Sequence, residues 1–586
     1  MSHDNLEPDL RVQLPLLRDA RPERVVPDDG HTPPREKDDG TMTHPETLPP
    51  PSAPGARDPD ASAPRGLRGV EVRSIDYVPE DERHGHVWQQ GPFWFLGNFQ
   101  PFTVAIGLVG PALGLSLWWT IIAATLGILS GTLFMAFHAS QGPVLGLPQM
   151  IQSRAQLGHR GVVIALFGTV FTFVGFNVID TVIIKEGLSA IYGWDAAIVG
   201  LVITVVAVVL AIYGHDWLHR AFQVLLVISF PFWIVLTIAI VSGSIDTPKA
   251  VAGDFTFVAF MVQFTVALSY NVTYAPYVSD YSRYLPKDTK TGAIVGAVFG
   301  GASLSAIWLI AIGAFLASKL GASDALVGIH DAGNQIAGWI GSVLALLAVA
   351  ALVATMALNA YSGMLTVITG IDSLRPITPT RRLRIVVILA LAVIWAVVGI
   401  GLIESYGTAL GDTLIIMLYL LVPWTAVNLV DFFWVRRGHY AITDLFTPTG
   451  IYGAWAWRGL VAYAVGLLVT LPFLVTSFYT GFVAGWISEV DVSAIVGLAV
   501  TAVVYLVLTR SLDVSAEEPA IAASEEALRL ALHGGANPSG AAGSGSSAGP
   551  GDAGGSGTAG GPGAATGPAG VPGAAAGPTT TTGAPA

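Results

Sequence analysis

Residues 269–286 read SYNVTYAPYVSDYSRYLP and follow directly on the apolar run FTFVAFMVQFTVAL, residues 255–268. The apolar run is built to enter a membrane, yet its continuation holds Asn271, Pro276, Asp280, Arg283 and five tyrosines. Hydrocarbon cannot solvate that many polar groups, so they must face a protein partner or a polar cavity. Which of the two they face decides how the chain is built.

Composition supports the membrane reading. The chain has 586 residues, 52% hydrophobic and only 12% charged, where a soluble protein carries about a quarter charged residues. The charge is unevenly placed. Residues 1–92 hold 18 acidic and 11 basic side chains, residues 93–510 hold 17 of each, and residues 511–586 hold 6 acidic and 1 basic. The net charge of −12 therefore belongs to the two ends, and no basic face points to nucleic acid. With no cysteine in the chain, disulfides, thiolate chemistry and cysteine-ligated metal are excluded. The stretch MSHDNLEPDLRV lacks the basic-then-apolar pattern of a cleaved signal peptide.

Three regions follow. Residues 1–92 are rich in Pro, Asp, Glu and Arg and are expected to be a disordered tail. Residues 511–586 are expected to be a second tail, almost wholly Gly, Ala, Pro, Ser and Thr from about 536 onward, with a short exposed helix near EEALRL. Truncation of 1–85 and 536–586 is accordingly expected to leave function intact. Between the tails lie twelve apolar runs of spanning length, at 94–114, 116–138, 161–184, 196–213, 220–242, 256–279, 291–317, 338–366, 383–403, 408–431, 459–479 and 492–509. Such runs must be helical, because lipid offers no partner for backbone groups.

Placing both termini in the cytoplasm puts Arg154, Arg160, Arg220, Arg283, Lys287, Lys290, Arg375, Arg381, Arg382, Arg384, Arg436, Arg437, Arg458 and Arg510 on the inner side. Only Lys185, Lys249 and Lys319 fall outside. This is the bias expected of a multi-pass protein with both termini inside.

Polar residues then mark the interior. The first run opens WFLGNFQPFTVAIGLVG, with Asn98, Gln100 and Pro101, and the sixth carries Asn271 and Pro276. Proline removes a helix hydrogen bond, and two interrupted segments at matching places in two halves point to a transporter built from inverted repeats. The competing reading is that these prolines only kink packed helices. In the third run, Phe173, Asn177 and Asp180 stand at i, i+4 and i+7 and share a face. A carboxylate at bilayer depth costs at least ~3 kcal/mol unless paired, hydrated or protonated. Functionally, Phe173 stacks a planar solute, Asn177 hydrogen-bonds it and Asp180 handles a coupled proton; otherwise all three serve helix packing. In the eighth run, Asn359 offers the donors and acceptor needed to read an amide-like edge.

HDWLH at 215–219 has the histidine spacing of a zinc-protease motif. Asp216 replaces the required glutamate, and the stretch falls in a loop at the membrane surface, so no metal site is read there. No P-loop is present to drive transport with ATP.

Four stretches carry a resemblance. PQMIQSRAQLGHRG (148–161), YAPYVSDYSRYLP (274–286), ALNAYSGMLTVITG (357–370) and VNLVDFFWVRRGHYAITDLF (427–446) resemble, in order, the nucleobase–cation symporter-1 family. These are permeases for cytosine, purines, uracil, allantoin, hydantoins and thiamine. The resemblance spans about 94–510 and implies an all-α integral membrane protein. Its fold would be a LeuT-like five-plus-five inverted repeat with discontinuous first and sixth helices and two extra helices.

The resemblance also implies a substrate site. The stacking aromatics correspond to Phe173 on the third helix and Tyr274 on the sixth, where the family commonly has Trp. The hydrogen-bonding positions correspond to Asn177 and Asn359, with Asn98 and Gln100 on the first helix. Asp280 and Arg283 would sit at the cytoplasmic exit, able to pair with each other. Sodium-coupled relatives use a hydroxyl pair on the eighth helix. Here that stretch is AALVAT, residues 350–355, with Thr355 as its one hydroxyl, so a proton is favoured over sodium as the coupling ion. No further cofactor is expected.

The leading expectation is thus a symporter in the cell membrane, binding a small heterocycle and a coupling cation within the lipid bilayer. A permease for another substrate of the same family and a non-transporting receptor are the alternatives. A membrane enzyme is disfavoured, because no nucleophile–base or metal constellation is found.

Overall fold

The computed structural model describes residues 75–533 except 248–249, 251–252, 378, 402 and 404–405. Residues 1–74 and 534–586 of the expected tails, and Lys249 on the expected outer side, lie outside the described residues.

Each of the twelve apolar runs coincides with helix. Among the described residues, nine helices are long and apolar enough to cross a bilayer. Two bent pairs raise this to eleven: Val87–Gly97 with Pro101–Ala112, at 54°, and Ser493–Thr509 with Val514–Leu530, at 75°. The remaining position holds the shorter Trp457–Phe473. The eleventh run was expected to continue to 479, but its helix ends at Phe473 and residues 475–480 form a two-stranded hairpin. The eighth run is longer than expected, a single helix Ile340–Leu374.

The packing follows an internal two-fold pattern. Numbering the segments from one to twelve in chain order, the first packs on the seventh and the sixth on the second. Likewise the third packs on the ninth and the eighth on the fourth, while the third meets the tenth and the eighth meets the fifth. Exchanging segments one to five with six to ten maps every one of these contacts onto another. That is the five-plus-five repeat, with segments eleven and twelve packed on each other and outside it.

The first and seventh segments approach closely enough to require glycine. A Cβ on Gly107 would lie 2.2 Å from the Ile310 carbonyl oxygen, and one on Gly313 would lie 2.1 Å from that of Val104.

Both discontinuities are present. The first segment breaks between Gly97 and Pro101, where Gln100 is extended and its side chain caps the following helix through the Phe102 N–H, at 2.6 Å. Pro101 occupies the first turn, where its missing N–H costs nothing. The sixth segment breaks at Thr273–Tyr274, between Phe257–Val272 and Ala275–Ser282.

Two of the family-like motifs turn out to brace one end of the molecule. Arg154, fully buried, donates to Asp372 Oδ2 at 2.8 Å, to Ser373 Oγ at 2.9 Å and to the carbonyls of Thr369 and Leu445. Asp431 accepts from Arg436 at 2.6 Å, Tyr440 at 2.7 Å, Tyr505 at 2.8 Å and Gln156 at 2.9 Å. Lys185, expected on the outer side, holds the end of the ninth segment by donating to the carbonyls of Ile400 and Ile403.

The expected tail boundaries at 92 and 511 need correction. Ile75, Tyr77, Val78 and Arg83 are buried, and Arg83 donates to the Pro143 carbonyl at 2.7 Å. At the other end the helix Glu518–His533 is not simply exposed. Glu517 forms a two-pronged ion pair with Arg436, at 2.8 and 2.9 Å, and Ser524 accepts from the Thr443 N–H. Folded structure therefore extends into both regions that composition assigned to tails.

Candidate functional site

Ser269–Leu285 is buried throughout. The tyrosines of the opening stretch thus face protein, and they gather around the two helix breaks.

Asn98 bridges the breaks. Its Nδ2 donates to Asn271 Oδ1 and to the Ala302 carbonyl of the seventh segment, both at 3.0 Å. Asn271 in turn donates to Thr132 of the second segment at 2.6 Å. The two asparagines are therefore counterparts, each tying its broken helix to a neighbour. Gln100 donates to the Tyr270 hydroxyl at 2.8 Å, and Thr103 shares that hydroxyl at 2.7 Å. The Tyr274 hydroxyl donates to the Gly97 carbonyl, freed where the first half-helix ends.

A second polar chain crosses from the sixth segment to the third. Tyr277 OH donates to Asn359 Oδ1 at 2.8 Å, Asn359 Nδ2 to Asn177 Oδ1 at 2.7 Å, and Asn177 Nδ2 to the Met356 carbonyl at 3.1 Å. Asn177 and Asn359, paired by the family resemblance, are thus in direct contact.

The aromatic pairing differs from expectation. Phe173 meets Tyr277 edge-on, with centroids 4.5 Å apart and planes at 89°. The ring lying parallel to Tyr274 belongs instead to Phe176, at 5.6 Å and 15°. Phe176 and Tyr277 were not singled out from the sequence. Phe176 stands one turn from Asp180, and Tyr277 one turn from Tyr274, so helical spacing admits both but does not choose Phe176 over Phe173. Phe102 stacks on Tyr270 at 5.3 Å and 12°, closing the other flank.

Asp180 is 1% exposed, and its Oδ2 is buried with no hydrogen-bond partner. It lies close enough to Tyr270, Tyr274 and Tyr277 to act on them electrostatically. Thr355 donates back to the Ala351 carbonyl of its own helix at 3.2 Å. At the far end of the stretch, Asp280 accepts from the Gln149 N–H at 3.0 Å, and Arg283 lies over the Tyr284 ring. All eight residues expected at the site are only 1–2% exposed. Among them, Asn177 and Asn359 are in contact, Asn98 braces the two breaks, and Thr355 is turned to its own backbone.

HDWLH, expected in a loop, is instead the start of the helix His215–Val241, and its His219 stacks on Phe93 of the first segment, at 4.1 Å and 22°. Among the described residues no group of three or more His, Cys, Asp or Glu is placed to hold a metal ion.

Comparison with known proteins identifies the family and the fold. Residues 77–497 match the family described as permeases for cytosine/purines, uracil, thiamine and allantoin. YxlA of Bacillus subtilis, provisionally named a purine-cytosine permease, is 34% identical over 448 residues, covering 75% of this chain and 96% of that protein. The purine-cytosine permease FCY2 of Saccharomyces cerevisiae is 23% identical over 270 residues, 45% of this chain and 49% of its own. Among solved structures, Mhp1, a nucleobase-cation-symport-1 family transporter in a closed conformation with bromovinylhydantoin bound, superimposes with a TM-score of 0.61 at 16% identity. It covers 78% of this chain and 99% of its own. That likeness speaks to the fold alone.

Proposed function

This chain belongs to the nucleobase–cation symporter-1 family, and we propose that it imports a small planar nitrogen heterocycle, cytosine or a purine nucleobase, coupled to a cation by alternating access. The observation that carries this reading is the juxtaposition of the parallel Phe176 and Tyr274 rings with the Tyr277–Asn359–Asn177 chain. A flat aromatic gap fixes the plane of a ring, and carboxamides beside it read the donors and acceptors on its edge. An inserted ring needs two stacking gaps of ~3.5–4.0 Å each. The pair, now 5.6 Å apart, must therefore part before substrate enters.

Proton coupling is favoured over sodium. Asp180 Oδ2, buried and without a partner, is costly to keep ionised and becomes cheap to ionise once water enters an opened cavity. A hard cation wants about six oxygen ligands, whereas Thr355 donates to its own helix and the preceding residues are Val353 and Ala354. The positive-inside bias orients both termini to the cytoplasm.

The testing experiment is uptake of radiolabelled cytosine into proteoliposomes, under a proton gradient and separately under a sodium gradient. Accumulation with the proton gradient alone is expected. No accumulation with either gradient, in folded protein, removes cytosine. Competition by adenine, uracil, allantoin and thiamine then tests the second reading, a permease of this family for another heterocycle. That reading is favoured by the absence of Trp from the Phe176–Tyr274 pair, which suits a smaller ring. Binding without accumulation would indicate a receptor.

A further inference from the structure

At the end of the molecule that carries Arg283, a cleft of about 260 Å³ opens between the first, fifth and sixth segments. One wall is a single face of the fifth segment, formed by Asp216, His219, Arg220 and Gln223 at i, i+3, i+4 and i+7. Gln89, in the first turn of the first segment, and Tyr281, near the end of the sixth, stand on the other side.

His219 and Tyr281, which line the cleft, belong to a layer of rings that continues behind it. Phe93 stacks on His219 with centroids 4.1 Å apart, and Tyr281 lies 4.9 Å from Phe93. Trp94 stands edge-on to Tyr281 on one side and to Tyr274 on the other, at 6.0 Å in each case. Tyr274 belongs to the central site. One aromatic layer, drawn from three segments, therefore separates the cleft from the substrate position.

The cleft shares carboxamides, a carboxylate and rings with the centre and adds a guanidinium. Gln89, Gln90, Gln223, Asp216 and Arg220 offer donors and acceptors beside the rings of His219 and Tyr281. A solvated helix face at the membrane surface explains the charges. It does not explain why they meet the ring layer at the inner end of the path from the central site.

We propose that this cleft is a release subsite for the transported heterocycle, reached from the centre when the Phe93–His219–Tyr281 layer parts. The proposal rests on the reading of the central site as a heterocycle site. The heterocycle leaving Tyr274 passes the parted rings and is held by Gln89, Gln223 and Asp216 before entering the cytoplasm. Affinity there is low, because the cleft is open to water and buries less of the ligand.

The test uses the absence of native cysteine, so that one introduced thiol reports alone. Gln223→Cys is labelled with a maleimide in proteoliposomes permeable on both sides, with and without cytosine. Expected is a slowing of about threefold or more at about 10 mM cytosine, as for a millimolar site, which persists when Asn359→Ala disables the centre. Gln89→Cys, on the opposite wall, should behave in the same way. Protection that disappears with Asn359→Ala means the cleft only senses closure over the centre, and this overturns the subsite. Absence of protection in either background overturns it as well. Equilibrium binding of radiolabelled cytosine to the same preparations reports the centre separately. Binding that Asn359→Ala removes, with the cleft thiol unprotected, leaves the proposed function standing and removes the subsite alone.

Discussion

Asn359 Nδ2 donates to Asn177 Oδ1 at 2.7 Å, joining the eighth segment to the third near the middle of both. Asn359 also accepts from the Tyr277 hydroxyl and Asn177 donates to the Met356 carbonyl; on the proposed function, one of these bonds is exchanged for substrate on loading. Asn177→Ala and Asn359→Ala should each reduce cytosine uptake tenfold or more, the effect of about 1.4 kcal/mol or above in binding. Each also leaves a buried polar group short of a partner, at about 1–3 kcal/mol, so thermal stability should fall modestly while the protein still reaches the membrane. Size-exclusion profiles together with uptake check both parts. Full uptake by either variant would remove that asparagine from the site.

Phe176 should matter more than Phe173. The Phe176 ring is parallel to Tyr274 and the Phe173 ring is edge-on to Tyr277, and only a parallel pair can sandwich a planar solute. Stacking contributes about 0.5–1.5 kcal/mol beyond buried area. Phe176→Ala is therefore expected to raise the apparent KM for cytosine several-fold more than Phe173→Ala, with Phe176→Tyr close to wild type. The reverse order would restore Phe173 as the stacking residue.

Much of this was legible before any coordinates. Hydropathy placed every segment, and Asn98, Pro101, Asn271 and Pro276 marked both breaks, because polar groups and prolines inside a membrane need a reason. Asn177 and Asn359 stood out as carboxamides inside apolar runs and again by resemblance, but their contact with each other is visible only in the fold. Phe176 was not legible, since Phe173 and Phe176 lie on neighbouring parts of one helix face and only the azimuth of the packed helix chooses between them. Asn98 was read as a substrate contact because its symmetric relation to Asn271 requires three dimensions. The family-like Asp431–Arg436 motif needs Glu517 to make sense, and Glu517 sits in a stretch whose composition reads as tail.

Asp180→Asn separates coupling from binding. Asparagine keeps the shape but cannot ionise. If Asp180 carries the coupled proton, the variant should exchange external for internal cytosine at near wild-type rates, yet fail to accumulate it against a gradient. Loss of exchange and accumulation together would make Asp180 a substrate or packing residue. The variant should be at least as thermostable as wild type, because Asp180 Oδ2 now lies buried without a partner.

Stability should fall on acidification through His159, in the loop between the second and third segments. Burial and the neighbouring Arg154 guanidinium lower its pKa from the ordinary 6.5 to about 4. Between those values the unfolded chain binds a proton that the folded chain refuses, so stability rises with pH. The contribution is complete above about pH 6.5 and is lost as pH falls towards 4. A shift of this size corresponds to a few kcal/mol, at about 1.4 kcal/mol per pH unit. Nδ1 of His159 bonds the Leu445 carbonyl at 3.2 Å, a bond that His159→Gln can replace. The melting temperature of that variant, measured from pH 7.5 to 5, should drop less steeply than that of wild type. Parallel curves would show that other groups dominate.

The clamp at Glu517 predicts where the chain can be cut. Arg436 is 6% exposed and lies between Asp431, at 2.6 Å, and the two oxygens of Glu517, at 2.8 and 2.9 Å. Glu517→Ala leaves Arg436 one carboxylate, Asp431, in place of two, and so costs part of the about 3–5 kcal/mol that fully breaking a buried ion pair does. Glu517→Ala, or truncation after residue 512, should therefore lower the melting temperature by several degrees and reduce uptake by loosening the ends of the tenth and twelfth segments. Deletion of 534–586 should do neither. At the other end, removing 1–85 takes away Arg83 and its bond to Pro143, so the innocuous cut there is after residue 74. Arg436→Met with Glu517→Leu leaves the Asp431 carboxylate its three neutral donors but takes away its counter-charge. It should therefore be no more stable than Glu517→Ala. Recovery of stability would show that the three neutral donors suffice for Asp431.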